Sequence, residues 1–134
     1  MKLKVYTDGG SRGNPGNAGA GIYITDENGK SLEKRYKNLG IKTNNEAEYI
    51  GCYLGIKRAI ELGATEVDYF ADSKLVIEQL SGRWKIKKEE LKKLNNDILE
   101  LILENNIKIK YTWIERELNK EADRLSNVAM DEKN

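Results

Sequence analysis

An α/β domain built on a mixed sheet is the fold class this sequence predicts, from three observations. Residues 3–39 hold runs of alternating apolar and polar residues separated by glycine-rich turns, the pattern of an antiparallel meander. Residues 43–130 then alternate helical and strand-like segments, so a later strand returns through a helical crossover and runs parallel to the first. The chain has 134 residues, 39% hydrophobic and 34% charged, enough to bury one core without metal or disulfide staples.

The first strand is expected at about Leu3 to Thr7, followed by Asp8 and a turn, Gly9 to Gly16, rich in Gly, Ser, Asn and Pro. Asp8 thus sits where the strand gives out. Taken alone, this is also the pattern of an ordinary hairpin with an acidic residue near its tip. A second strand follows at Ala18 to Thr25, and Asp26-Glu27-Asn28-Gly29 signals a hairpin turn. Ser31 to Leu39 alternates as a third strand whose many charges suit a sheet edge or a wet face.

Thr43-Asn44-Asn45 is a helix N-cap signal, and the helix it opens runs to about Leu62, closed by Gly63. Ala47, Gly51, Gly55 and Ala59 recur every fourth residue and form a smooth ridge. Glycine inside a helix costs about 1 kcal/mol relative to alanine, which close approach to the sheet or another helix would offset. Glu46 and Glu48 fall in the first turn, where the helix dipole already favours carboxylates.

Thr65 to Ala71 reads as a fourth strand, parallel to the first, with Asp72-Ser73 at its carboxyl end. Open α/β sheets bind ligands at that edge, although Asp72-Ser73 is equally a helix N-cap. A short helix, Lys74 to Leu80, ends at Ser81-Gly82 and leads into a basic-aromatic stretch, Arg83 to Lys88. Leu91, Leu94, Ile98, Leu101 and Ile102 mark the core face of a helix over Glu89 to Asn105. Ile107 to Trp113 alternates as a fifth strand. The last helix, about Asn119 to Met130, turns Ala122, Leu125, Ser126 and Ala129 inward and carries Asp123 in its first turns. One domain is expected over residues 1–130, with 131–134 as a frayed tail.

The formal net charge is +1, so any nucleic-acid surface must be local. A single cysteine, Cys52, excludes an internal disulfide and reads as a packed thiol on a helix face. No apolar run reaches membrane-spanning length, and Met1-Lys2-Leu3-Lys4 leads into a strand rather than a signal peptide. A cytoplasmic monomer without a membrane partner is therefore expected.

Asp8, a glutamate of the first helix, Asp72 and Asp123 are far apart in sequence, yet this topology carries all four to one edge of one sheet. Four unpaired carboxylates would repel one another. Divalent cations resolve the conflict: oxygen ligands suit Mg²⁺ or Mn²⁺, and two such ions about 4 Å apart suit phosphoryl transfer. The absence of histidine and of any cysteine cluster argues against zinc.

These residues resemble type 1 ribonuclease H. The matching pieces are Thr7-Asp8-Gly9 with Gly13-Asn14-Pro15-Gly16, then Thr43-Asn44-Asn45-Glu46-Ala47-Glu48, Ala71-Asp72-Ser73, and Asn119-Lys120-Glu121-Ala122-Asp123. Their order and spacing agree along nearly the whole chain. The resemblance implies a five-stranded mixed sheet ordered 3-2-1-4-5 with helices on both faces. It further implies two-metal hydrolysis of the RNA strand of an RNA–DNA hybrid, leaving 5′-phosphate and 3′-hydroxyl ends. Asp8, Glu48, Asp72 and Asp123 are then the catalytic and metal-holding residues, Glu48 rather than Glu46 matching the second carboxylate. Two Mg²⁺ or Mn²⁺ ions would bind with substrate. Asp8 would bridge both, Asp72 and Asp123 would hold the ion on the water side, and Glu48 would lean toward the leaving 3′ oxygen.

Substrate contacts follow from the same resemblance. Gly9, Gly10, Ser11 and Arg12 of the glycine-rich stretch, with Glu48, are candidates for reading the 2′-hydroxyl that distinguishes RNA. Asn14, Asn44 and Asn45 match positions that touch the hybrid. Lys85, Lys87 and Lys88 represent a reduced form of the basic protrusion found in many members, and Trp84 is either a platform for the DNA strand or a core residue. Many members also carry a mobile histidine between the last strand and last helix. Here Glu115-Arg116-Glu117 fills that stretch. A non-catalytic nucleic-acid-binding module, or another nuclease of the same fold, is the alternative reading.

Overall fold

The computed structural model describes residues 1–132. Five strands, β1 (Lys2–Gly13), β2 (Gly16–Asp26), β3 (Ser31–Lys42), β4 (Glu66–Ala71) and β5 (Lys108–Trp113), form one sheet in the order β3-β2-β1-β4-β5. The helices are α1 (Asn44–Glu61), α2 (Lys74–Leu80), α3 (Glu89–Glu104) and α4 (Lys120–Asp131), and a 3₁₀ turn at Arg116–Leu118 precedes the last. Strands β1, β2 and β3 are antiparallel, whereas β4 and β5 run parallel to β1, as the helical crossovers demand. Asp131, expected in the tail, closes α4. Residues 133 and 134 of that tail lie outside the described residues.

One sequence expectation changes at the site itself. The glycine-rich stretch after Thr7 is no turn: β1 continues past Asp8 and pairs with β2 as far as Gly13↔Gly16, leaving only Asn14 and Pro15 at the reversal. The physical reason is helix packing. A Cβ on Gly9 would lie 2.6 Å from the Glu48 backbone nitrogen, so the glycine lets α1 rest on the strand rather than letting the strand turn.

The two sides of the sheet are covered differently. On β2, Ile22 faces α1, while a Cβ on neighbouring Gly21 would stand 2.6 Å from the Ser126 nitrogen of α4. Successive strand residues point to opposite faces, so α1 and α4 sandwich the centre of the sheet. The main core lies on the α1 side: Leu3, Val5, Ile22, Ile24, Val67 and Tyr69 of the sheet meet Cys52 and Ile56 of α1 and Ile98 of α3. Cys52 is a buried free thiol, as its helix position implied.

The ridge of small residues on α1 faces β1. A Cβ on Gly55 would lie 2.7 Å from Thr7 Cγ2 and 2.8 Å from Val5 Cγ1, both stiff β-branched side chains. Helix propensity alone would reward Gly55→Ala by about 1 kcal/mol. Overpacking a closed core costs about 1–3 kcal/mol, and here it prevails. Urea unfolding of Gly55→Ala should show a net loss of about 1 kcal/mol or more. An unchanged or higher midpoint would mean that the ridge does not set the helix–sheet distance.

Candidate active site

β4 stops at Ala71, and the last parallel pair it makes with β1 is Tyr6↔Phe70. β1 continues alone on that side, so Asp8 and Asp72 emerge next to each other at the carboxyl edge. Glu48 arrives from α1. Carboxylate oxygens of Asp8, Glu48 and Asp72 lie within 4.8 Å of one another.

The two glutamates of α1 have different tasks, and the capping geometry separates them. Thr43 Oγ1 accepts from the Glu46 nitrogen at 3.1 Å, and Glu46 Oε1 accepts from the Thr43 nitrogen at 3.0 Å, closing a capping box. Glu48 points inward instead and is 6% exposed. Its Oε1 accepts from the Gly9 N–H at 2.6 Å, and its Oε2 is buried without a hydrogen-bond partner. Only Glu46 falls in the first turn of α1, contrary to the expectation for both glutamates, so the helix dipole does not account for Glu48.

Asp123, in the first turn of α4, lies at the rim of this trio. Its carboxylate is 3.8 Å from the Arg116 guanidinium. Two residues to which the sequence reading gave no role in the site adjoin the acids. Ser126 Oγ donates to the Asp123 carbonyl at 2.8 Å and stands 3.4 Å from Asp8 Oδ2. Asn119 Nδ2 donates to the Thr7 carbonyl at 3.0 Å and stands 3.5 Å from Asp72 Oδ2. The available signals were polar residues on an inward helix face and at a helix start. Arg116 is a third addition, a cation supplied by the stretch between β5 and α4.

Burial dominates the electrostatics. It pushes the Asp8 carboxyl up from 3.8 to about 7, with Asp72 and Asp123 adding to the rise and the Glu48 hydrogen bond opposing it. Burial, then the nearby Asp8, raises Glu48 well above the carboxylate range. Asp72 is raised less strongly, because Asn119 and Arg116 stabilise its charged form. The donor set fits a hard divalent cation: it is all oxygen, closely gathered, costly to ionise alone, and holds one buried oxygen with nothing to bind it. Cysteine chemistry does not enter, since burial raises the Cys52 thiol far above neutrality.

The proposed substrate residues fall into two groups around the acids. Ser11 N–H donates to Asn44 Oδ1 at 2.7 Å, and Asn14 Oδ1 accepts from the Asn44 nitrogen at 3.0 Å, lacing the β1–β2 hairpin to the start of α1. Gly10 packs against Met130, and Arg12 pairs with Asp131 at the end of α4. On the other side, Asn45 lies one turn ahead of Glu48 and lines a cleft of about 280 Å³ with Lys85, Lys87 and Lys88. Gln79 accepts from the Tyr49 hydroxyl at 2.7 Å and donates to the Lys85 carbonyl at 3.3 Å, fixing this strap to the core. Trp84 is 45% exposed, so it is not a core residue.

The family model described as reverse transcriptase-like matches residues 6–129. The bifunctional protein Rv2228c of Mycobacterium tuberculosis is 46% identical over 98% of this chain, which spans only 36% of that protein's length. The solved N-terminal RNase H domain of the same protein, fused to maltose-binding protein, superposes with a TM-score of 0.92 at 44% identity, covering 98% of this chain and 94% of that one. The crystal structure of LC11-RNase H1 in complex with an RNA/DNA hybrid gives a TM-score of 0.92 at 37% identity and 96% coverage of both chains. Among the described residues, no helix is long and apolar enough to cross a membrane.

Proposed function

The chain belongs to the type 1 ribonuclease H family, and on that premise we propose that it hydrolyses the RNA strand of RNA–DNA hybrids. The cut is endonucleolytic and leaves 5′-phosphate and 3′-hydroxyl ends. The observation that carries this reading is the close meeting of Asp8, Glu48 and Asp72, with Glu48 buried and its Oε2 left unpartnered. Two Mg²⁺ or Mn²⁺ ions, bound together with substrate, would supply the charge that makes a water nucleophilic and offsets the leaving oxygen.

The chain's own residues do the rest. Asp8, on the central strand and with Ser126 Oγ beside it, would serve both ions. Asp72 and Asp123 would hold the ion on the water side, and Glu48 would lean toward the one that offsets the leaving 3′ oxygen. Gly9, Gly10, Ser11 and Arg12, with Asn14 and Asn44, offer the sugar edge of the RNA strand hydrogen-bonding groups already held by the hairpin–helix lacing. Asn45, Lys85, Lys87 and Lys88 take the phosphates of the partner strand in their cleft, with exposed Trp84 beside them. One catalytic domain over residues 1–130, acting as a cytoplasmic monomer, accompanies this reading.

Labelled RNA–DNA hybrid, RNA duplex and DNA duplex, each incubated with Mg²⁺, Mn²⁺ or EDTA, test it directly. Cleavage of the hybrid's RNA strand, abolished by EDTA, is expected. Binding without cleavage under every condition would make the chain a non-catalytic nucleic-acid module.

The lysine cleft has its own test. Replacing Lys85, Lys87 and Lys88 together by Ala removes three charges that would displace counterions from the hybrid. KM should rise about tenfold or more at 0.1–0.2 M salt, its salt dependence should flatten, and kcat should stay nearly unchanged. An unaltered salt slope would place the hybrid elsewhere.

A further inference from the structure

We infer that Asn119 is a positioning residue for the acidic site, its carboxamide holding Asp72 in register with β1 from the residue that opens the turn bearing Asp123. This rests on the reading of the site as a divalent-cation centre. Asn119 is 1% exposed, at the junction between the 3₁₀ turn and α4. Its Nδ2 faces two acceptors, the Thr7 carbonyl at 3.0 Å and Asp72 Oδ2 at 3.5 Å. Its main-chain carbonyl accepts from the Asp123 nitrogen at 3.0 Å, the first helical bond of α4, which any residue at this position could make. Thr7 immediately precedes Asp8, so the carboxamide of this one residue reaches the segments carrying Asp8 and Asp72.

A buried amide can also be a plain clamp between helix and sheet. Two features argue for more. With acceptors on both sides of Nδ2, turning the amide over would set oxygen against oxygen, so its orientation is fixed by chemistry rather than by packing. That orientation leaves Asn119 Oδ1 buried without a partner, a penalty of about 1–3 kcal/mol that an apolar side chain would avoid. A group retained at such a cost to stability, beside a carboxylate that must point at a shared ligand, fits the role of orienting that carboxylate.

The roles separate in a measurement that does not depend on turnover. Mn²⁺ binding to wild type, Asn119→Ala and Asn119→Ser is followed by calorimetry, together with melting in EDTA and steady-state kinetics on a labelled hybrid. The serine variant keeps a hydrogen-bonding group in the turn but is too short to reach Asp72, and it decides the matter if the alanine variant does not fold. The expected result is a Kd for Mn²⁺ raised about 10–100-fold and a comparable fall in kcat, with hybrid KM within about threefold of wild type. In an Asp72→Asn background, Asn119→Ala should no longer weaken Mn²⁺ binding, because the carboxylate it orients is gone. Wild-type Mn²⁺ affinity in a folded Asn119 variant, even one that melts lower in EDTA, would reduce the residue to a clamp and overturn the inference alone. Failure of wild type itself to bind Mn²⁺ would overturn the cation-centre reading and this inference with it.

Discussion

Asp8→Asn lowers kcat on an RNA–DNA hybrid by about 10³-fold or more, a loss of about 4 kcal/mol or more of transition-state stabilisation, while hybrid binding stays within a few-fold of wild type. The carboxylate lost lies beside Ser126 and within 4.8 Å of the Glu48 and Asp72 oxygens, whereas the lysine cleft and the asparagine lacing are untouched. The companion substitutions locate the second acid. Glu48→Gln should cripple turnover to a similar degree, because its two oxygens serve Gly9 and the shared site. Glu46→Gln should change little, since a glutamine oxygen can still accept from the Thr43 nitrogen and keep the cap. Single-turnover rates and hybrid Kd values for the three variants decide this. Near-wild-type rates for Asp8→Asn would remove it from the chemistry, and a reversal of the two glutamates would shift the motif by one pair of residues.

The second large effect is on stability without cations. Burial keeps Asp8 protonated up to about pH 7 in the folded chain, against an ordinary value of 3.8, so the folded state binds more protons than the unfolded state between about pH 4 and 7. Stability must then fall as pH rises through that window, and above it the folded chain carries a buried, repelled charge. In EDTA, wild type should melt lower at pH 8 than at pH 6. Asp8→Asn and Asp72→Asn should melt higher than wild type at pH 8. Strain held at such sites is about 1–3 kcal/mol, or roughly 3–10 °C in Tm for a domain of this size. Mg²⁺ should raise wild type more than either variant, because a ligand bound only by the folded state stabilises according to its concentration over Kd. If both variants melt below wild type in EDTA, the acids stabilise the fold through partners other than a cation.

Much of this architecture was legible because local rules carried it. The Thr43 cap, the four-residue spacing of Ala47, Gly51, Gly55 and Ala59, and the strand before Asp72 are patterns a short window contains, and each is realised. With the crossover rule, they suffice to bring Asp8, Glu48 and Asp72 to one edge. What escaped depends on contacts across the chain. Gly9 and Gly10 carry the composition of a turn, yet β1 runs through them because α1 and α4 press on its two faces. Asn119 meets Thr7 across 112 positions and Ser126 meets Asp8 across 118, and no periodicity encodes such bonds. Trp84 is a case of the same kind: an aromatic residue in a basic stretch is compatible with core or surface until the strap is folded.

Helix ends are ordinarily the loosest part of a helix, opening and closing many times for each global unfolding event. The start of α1 has lost that freedom. Asn44 is bonded to Ser11 and Asn14, and Glu48 to Gly9, so its first turns are stitched to the long hairpin of β1 and β2. The segment carrying Glu48 therefore belongs to the same cooperative unit as the strand carrying Asp8. A heated or mildly denatured population divides into molecules with an intact centre and molecules with none, rather than passing through folded chains whose acids have drifted apart.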